Sequence, residues 1–136
     1  SLVSSMEMCE QDIRYKLHRK FFPDYAIDEA IKTMCSYNYL NDERYAESYA
    51  RSYIRTKSRE MILKELEYKQ LAVPDIRNIL DRVYEDEGIS TADIIEGLIR
   101  KKFSGQDLND ERVKRRAVNL LFRHGFTFDD INNYLT

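Results

Sequence analysis

LEYKQLAVPDIRNIL, at residues 66–80, reads as one helix ending, a short turn and a second helix beginning. Leu66 closes the first helix, Leu71 sits in the turn, and Ile76 and Leu80 begin the apolar side of the next. The same frame returns twice. Leu17, Phe22, Ile27 and Ile31 lie 49 positions earlier, and Leu121, Phe126, Ile131 and Leu135 lie 55 positions later. A nearly fixed period of this length marks stacked supersecondary units that cannot bury their apolar faces alone. Such arrays bind other macromolecules along an extended surface, which turns the reading away from catalysis.

Working outward from that stretch, Asn41 is placed to cap a helix running from about residue 42 to 56. Asp42 and Glu43 then stand in its first turn, at the positive end of the helix dipole. Leu40 and Tyr45 bracket the cap as a hydrophobic staple. Tyr45, Tyr49 and Tyr53 follow at i, i+4 spacing beside Ala46, Ala50 and Ile54, and read as core-facing rather than as a platform for stacked bases. Ser58 caps a second helix whose buried side is Ile62, Leu63 and Leu66. Pro74 and Asp75 fall in the first turn of a third, continued by Ile79, Leu80 and Val83.

The next unit repeats the plan. Ser90 and Asp93 form a capping box between Ile89 and Ile94, and Ile95, Leu98 and Ile99 take the places of Ala46, Tyr49 and Ala50. A longer loop, 103–110, precedes a helix through Val113, Ala117, Leu120 and Leu121. Gly125 stops that helix in a left-handed cap, and Thr127 with Asp130 begins the last one. Upstream, Cys9, Ile13 and Leu17 match a second helix and Ile27, Ile31 and Met34 a third, while the matching first helix is missing and is expected upstream of Ser1. The run Leu-Asn-Asp-Glu-Arg occurs at 40–44 and again at 108–112, out of phase with the repeat, so both copies read as helix starts and not as a motif. Period-two alternation is absent. The predicted fold is all-α: tandem three-helix repeats forming an elongated, curved array. Residues 1–38 form a partial repeat without its first helix, 39–87 a second repeat, and 88–136 a third with the longer loop.

With four Gly, two Pro and 34% charged residues, the composition suits helices with large solvated faces. No segment approaches the ~20 apolar residues of a membrane span, and the opening residues lack the charged and apolar regions of a signal peptide. Cys9 and Cys35 are too few for a disulfide framework and fall at apolar positions, which predicts two buried free thiols and a reducing, cytoplasmic setting. His18 and His124 lie in different units without zinc-ligand spacing. The acidic pairs Asp42/Glu43, Asp86/Glu87 and Asp129/Asp130 read as helix-terminal residues, and no glycine-rich phosphate loop occurs. No catalytic residue, metal or cofactor is expected.

Net charge is −2, too little for binding naked nucleic acid by bulk electrostatics, but the charge is unevenly placed. Residues 51–69 hold six bases against three acids, 100–124 hold eight against three, and 81–96 hold six acids against one base. The candidate partner-binding residues are therefore Arg51, Arg55, Arg59, Lys101, Lys102, Arg112, Lys114, Arg115, Arg116 and Arg123. Lys114, Arg115 and Arg116 beside Lys101 and Lys102 are the densest cluster.

Tyr39-Leu40-Asn41-Asp42-Glu43-Arg44-Tyr45-Ala46 resembles the first-helix signature of the RecX family of bacterial recombination regulators. The likeness continues through Arg51, Arg55, Ile62, Glu65, Leu66 and Lys69. Arg123-His124-Gly125-Phe126, followed by Asp130-Ile131, is similar to that family's last turn. Phe21 and Gln70 stand where the family has glycine, as do residues in the stretch 56–59, at a cost of about 1 kcal/mol for each strained cap. The resemblance implies a protein that lies in the groove of the filament formed by the RecA recombinase on single-stranded DNA. It would inhibit ATP hydrolysis and strand exchange there, meeting the DNA through the filament. A cytoplasmic monomer with no membrane contact is implied as well. The alternative is a helix-turn-helix DNA reader, against which no single helix reads as rich in both bases and base-reading Asn or Gln.

Overall fold

The computed structural model describes residues 7–135, among which there are eight α-helices and no strand. These are α1 (Glu10–Arg19), α2 (Asp24–Ser36), α3 (Asp42–Tyr53), α4 (Arg59–Tyr68), α5 (Ile76–Glu87), α6 (Thr91–Lys102), α7 (Glu111–Arg123) and α8 (Phe128–Leu135). The principal packings group them into a pair and two trios: α1 on α2; α3 on α5 with α4 against both; α6 on α8 with α7 against α8.

Each group has its own apolar cluster. The middle one gathers Tyr45, Ala46, Ala50, Ile54, Ile62, Leu63, Leu66, Ile79, Leu80 and Val83. The last gathers Ile94, Ile95, Leu98, Ile99, Ala117, Leu121, Phe126 and Ile131. The pair has a smaller one of Ile27 and Ile31 that is completed by Leu40, from the segment leading into α3. Cys9 joins the middle cluster although it precedes α1, and Tyr84 and Ile89 pack against both the middle and last clusters. Apolar contact thus runs from group to group.

Helix starts follow the expected side-chain caps. Asn41 Oδ1 accepts the Arg44 N–H at 3.0 Å, Ser58 Oγ the Met61 N–H at 3.1 Å, and Ser90 with Asp93 closes a reciprocal box. Thr127 and Asp130 do the same at α8. Four details differ from expectation. Helix α3 ends at Tyr53, where the Thr56 and Lys57 amides turn back onto the Tyr53 carbonyl. Asp75 is the cap of α5 rather than a first-turn residue, since its Oδ1 accepts the Asn78 N–H. The two Leu-Asn-Asp-Glu-Arg runs start helices one residue out of register, with Asn41 capping α3 but Asp110 capping α7. Cys9 is buried but Cys35 is exposed, because α2 buries Ile27 and Ile31 and turns its last residues outward.

Candidate partner-binding surface

The expected basic residues divide by what α5 offers them. Arg51 on α3 pairs with Asp86 (3.4 Å) and Glu87 (3.2 Å), and Arg59 at the start of α4 pairs with Asp81 and lies over the Tyr84 ring, 5.1 Å from its centroid. The acidic stretch expected to stand apart is therefore the internal counter-charge of the middle trio. Asp86 and Glu87 serve Arg51 and cap nothing. Lys57 is also taken, by Glu65 at 2.9 Å. Of the expected site residues in this trio, Arg55 keeps an exposed side chain without a partner among the described residues.

The last trio keeps its charge open. Lys101 and Lys102 end α6 exposed, and α7 turns Arg112, Arg115, Arg116, Asn119, Phe122 and Arg123 outward while Val113, Ala117, Leu120 and Leu121 go in. Among the described residues, Lys101, Lys102, Lys114, Arg115 and Arg123 have no acidic partner. Arg112 reaches Asp110 only at 3.9 Å, and Arg116 donates to Gln106 Oε1 at 2.8 Å, tying the 103–110 loop to α7. Asn119 sits one turn beyond Arg115 and Arg116 on this face, a base-reading residue type among arginines that the sequence reading passed over. Its i+3/i+4 spacing from those arginines was the available signal.

The tyrosine row of α3 faces the core at its first two positions only, since Tyr53 is exposed at the end of the helix. Tyr45 is buried, Tyr49 packs on the middle cluster, and successive ring centroids are 6.1 and 4.7 Å apart. The Tyr49 hydroxyl donates to Glu65 Oε1 at 2.7 Å, and the Lys57 ammonium lies 4.1 Å from the Tyr53 ring centroid. Burial, reinforced by the adjacent Glu65 carboxylate, raises the Tyr49 phenol. Burial also works to raise Glu65, but hydrogen bonds from Tyr49 and Lys57 outweigh it and hold that carboxyl below its ordinary value.

Two junctions connect the groups, and they use equivalent positions. At the start of α1, the Glu10 N–H donates to Asp42 Oδ1 at 2.8 Å while the Ala72 N–H donates to Asp42 Oδ2 at 2.7 Å. One buried carboxylate thus bridges the start of α1 and the α4–α5 turn. Lys69 to Asp12 (3.3 Å) and Arg44 to Glu7 (2.6 Å) flank it. At the second junction the α7–α8 turn sits on the start of α4. The Ser58 N–H donates to the His124 carbonyl at 2.8 Å, and His124 Nδ1 donates to the Thr56 carbonyl. Thr91 stands at the position equivalent to Asp42, beside a cavity of about 330 Å³ lined also by Arg59, Ser90, Phe126 and Thr127. His18, by contrast, is exposed on α1.

Among the described residues, no group of three His, Cys, Asp or Glu side chains could hold a metal ion, and no helix is long and apolar enough to cross a membrane.

Comparison with known proteins places this arrangement. A family model described as the RecX second three-helix domain matches residues 41–80. The chain is 35% identical over 125 residues to regulatory protein RecX of Bacillus velezensis, covering 90% of this chain and 47% of that protein, so it spans about half the length of that relative. It is 31% identical to regulatory protein RecX of Syntrophotalea carbinolica, covering 92% of this chain and 83% of the relative. Against regulatory protein RecX of Vibrio campbellii the identity is 27%, over 99% and 85%. No solved structure matches the chain.

Proposed function

Since the chain belongs to the RecX family of regulatory proteins, we propose that it binds the filament RecA forms on single-stranded DNA and restrains its ATP hydrolysis and strand exchange. It acts as a cytoplasmic monomer and not as an enzyme. The observation that carries the reading is the basic face of the last trio: Arg115, Arg116 and Arg123 on the outside of α7, with Lys101 and Lys102 at the end of α6, none of them with an acidic partner among the described residues. The division into units at residues 39 and 88 is part of the proposal, the last unit supplying the electrostatic contact. A filament groove combines protein with the phosphates of the bound strand, and free cations on a repeat array suit such a surface. The middle trio contributes Arg55, whereas Arg51 and Arg59 act through the ion pairs that fix α3 and α4 to α5.

The test is single-strand-dependent ATP hydrolysis by RecA with this protein titrated in, alongside co-sedimentation with filaments. Inhibition that weakens at least tenfold on charge reversal of Lys114, Arg115 and Arg116, with unchanged helicity, supports the reading. Absence of both inhibition and co-sedimentation defeats it.

A second reading has one observation in its favour: α7 presents Asn119 among arginines, the composition of a helix that reads base edges. Sequence-dependent duplex binding by the isolated protein, lost in Asn119→Ala, would support it over filament binding.

A further inference from the structure

We infer that the cavity at the second junction is a binding site for a carboxylate carried on a short aliphatic stem, which fastens the last trio to the middle one. The inference goes beyond filament binding and does not rest on it, since that reading stands on the outer face of α7.

The first junction supplies the precedent within the same chain. There the buried Asp42 sets one carboxylate between the Glu10 amide at the start of α1 and the Ala72 amide of the α4–α5 turn. The repeat carries each part forward: Asp42 and Glu10 become Thr91 and Arg59 at 49 positions, and Ala72 becomes Thr127 at 55. Thr91 therefore brings a hydroxyl where Asp42 brings a carboxylate. The Arg59 N–H has no acceptor among the described residues, and the Thr91 hydroxyl has no partner among them. The cavity beside Thr91 measures about 330 Å³, several times the ~30 Å³ share of one water. The second junction thus keeps the free helix-start amide of the first and has room for the group that meets it.

Tyr84 is an independent sign of a ligand. It lines the same cavity, and its hydroxyl oxygen is buried with no hydrogen-bond partner among the described residues. A buried hydroxyl left unpaired is costly, so it calls for an acceptor. Burial raises this phenol above its ordinary value, and it therefore keeps the proton it would donate. The Arg59 guanidinium lies over the ring, 5.1 Å from its centroid, and puts a cation at the same wall. The rest of the lining sets the class of ligand. Ile89, Ile94 and Phe126 give an apolar side that suits an aliphatic stem. Glu60 and Asp130 line the cavity as well, so a doubly charged phosphate would meet two carboxylates against one guanidinium. A monoanion meets half that repulsion, the more so because Asp130 is engaged by the Thr127 N–H and Glu60 lies 3.9 Å from Arg77. Such a carboxylate comes either as a free acid or as the side chain of a bound protein, with the same chemistry at the site.

The experiment follows backbone amide resonances of the whole isotope-labelled chain as sodium butyrate is titrated, with sodium chloride at matched sodium as the control. Butyrate, and not chloride, should shift the Arg59 and Thr91 amides saturably and slow hydrogen exchange at Arg59. Thr91→Asp should abolish the response in a natively folded chain, because its own carboxylate takes the place. Tyr84→Phe keeps the ring under Arg59 and should weaken butyrate about 2- to 10-fold. Equal shifts with chloride, or shifts centred on Lys101, Lys102 and Arg115 as in general charge screening, would overturn the inference. So would inorganic phosphate that binds as tightly, or a Thr91→Asp or Tyr84→Phe chain that binds butyrate like the parent. Hydrogen exchange with RecA filaments and no butyrate then separates the sources. Slowing at Arg59 in the parent, absent from Thr91→Asp, assigns the carboxylate to the bound protein, and slowing that needs butyrate assigns it to a free acid. If butyrate fails while RecA inhibition persists, this inference falls and the filament reading stands.

Discussion

Phe21, Gln70 and Gly125 occupy one position in three units and adopt one conformation, with φ of 68°, 53° and 92°. Only the third is glycine, and its neighbourhood explains why. A Cβ there would come within 2.5 Å of Ser58 Oγ and 2.6 Å of Met61 Cβ, on the unit against which the turn is pressed. Gly125→Ala therefore pays both a left-handed backbone and a clash, and we expect a loss of about 2 to 3 kcal/mol by urea unfolding. Gln70→Gly relieves backbone strain and should gain up to about 1 kcal/mol, less the extra freedom of the unfolded chain. At the same scale the two thiols separate. Burial, chiefly, pushes Cys9 up to about 11, so at neutral pH iodoacetamide should label Cys35 within minutes and leave Cys9 protected until the chain unfolds. Equal labelling rates in the native protein would contradict the packing of Cys9 in the middle cluster.

At the scale of the helix, most starts were legible because their signals are local, while the end of α3 fell short of the expected residue 56. Asn41, Ser58, Ser90 and Thr127 each sit three residues before the amide they cap, and the apolar frame built on Leu66, Leu71, Ile76 and Leu80 fixes which sides meet. The ion pairs were not legible. Arg51 meets Asp86 and Arg59 meets Asp81 across tens of residues, and no local pattern selects among several carboxylates. The basic surface of the middle trio was overestimated for that reason, while that of α7 survives because, among the described residues, no carboxylate reaches Arg115 or Arg123. The link from α3 to α4 through Tyr49, Glu65 and Lys57 carries its own pH dependence. Glu65 titrates below its ordinary value when folded, so its contribution is present above the normal glutamate range and is lost as pH falls through the depressed value. Glu65→Gln should flatten the acid limb of a stability–pH curve measured from pH 6 to 3, and an unchanged limb would deny the link a net role.

For the whole molecule, the two junctions pose a single physical question: what holds one unit to the next. In the first, the Asp42 carboxylate accepts the Glu10 and Ala72 amides, a charge-assisted bridge inside a nearly closed contact. In the second, Thr91 takes that position beside the 330 Å³ cavity, and the Thr127 amide goes instead to Asp130 within its own unit. Asp42 drew attention in the sequence only as a first-turn acid, because nothing local marks a carboxylate that serves two distant amides. Asp42→Ala strands both donors and should cost about 3 kcal/mol, with accelerated hydrogen exchange at Glu10 and Ala72. The converse change is the sharper test, since it adds an interaction at a site chosen only by equivalence. Thr91→Asp should let a carboxylate reach the Arg59 amide at the start of α4, slowing exchange at Ser58 and Arg59 and adding about 1 kcal/mol. Should Thr91→Asp speed exchange there instead, the second junction is not a copy of the first, and the units are joined by two different rules.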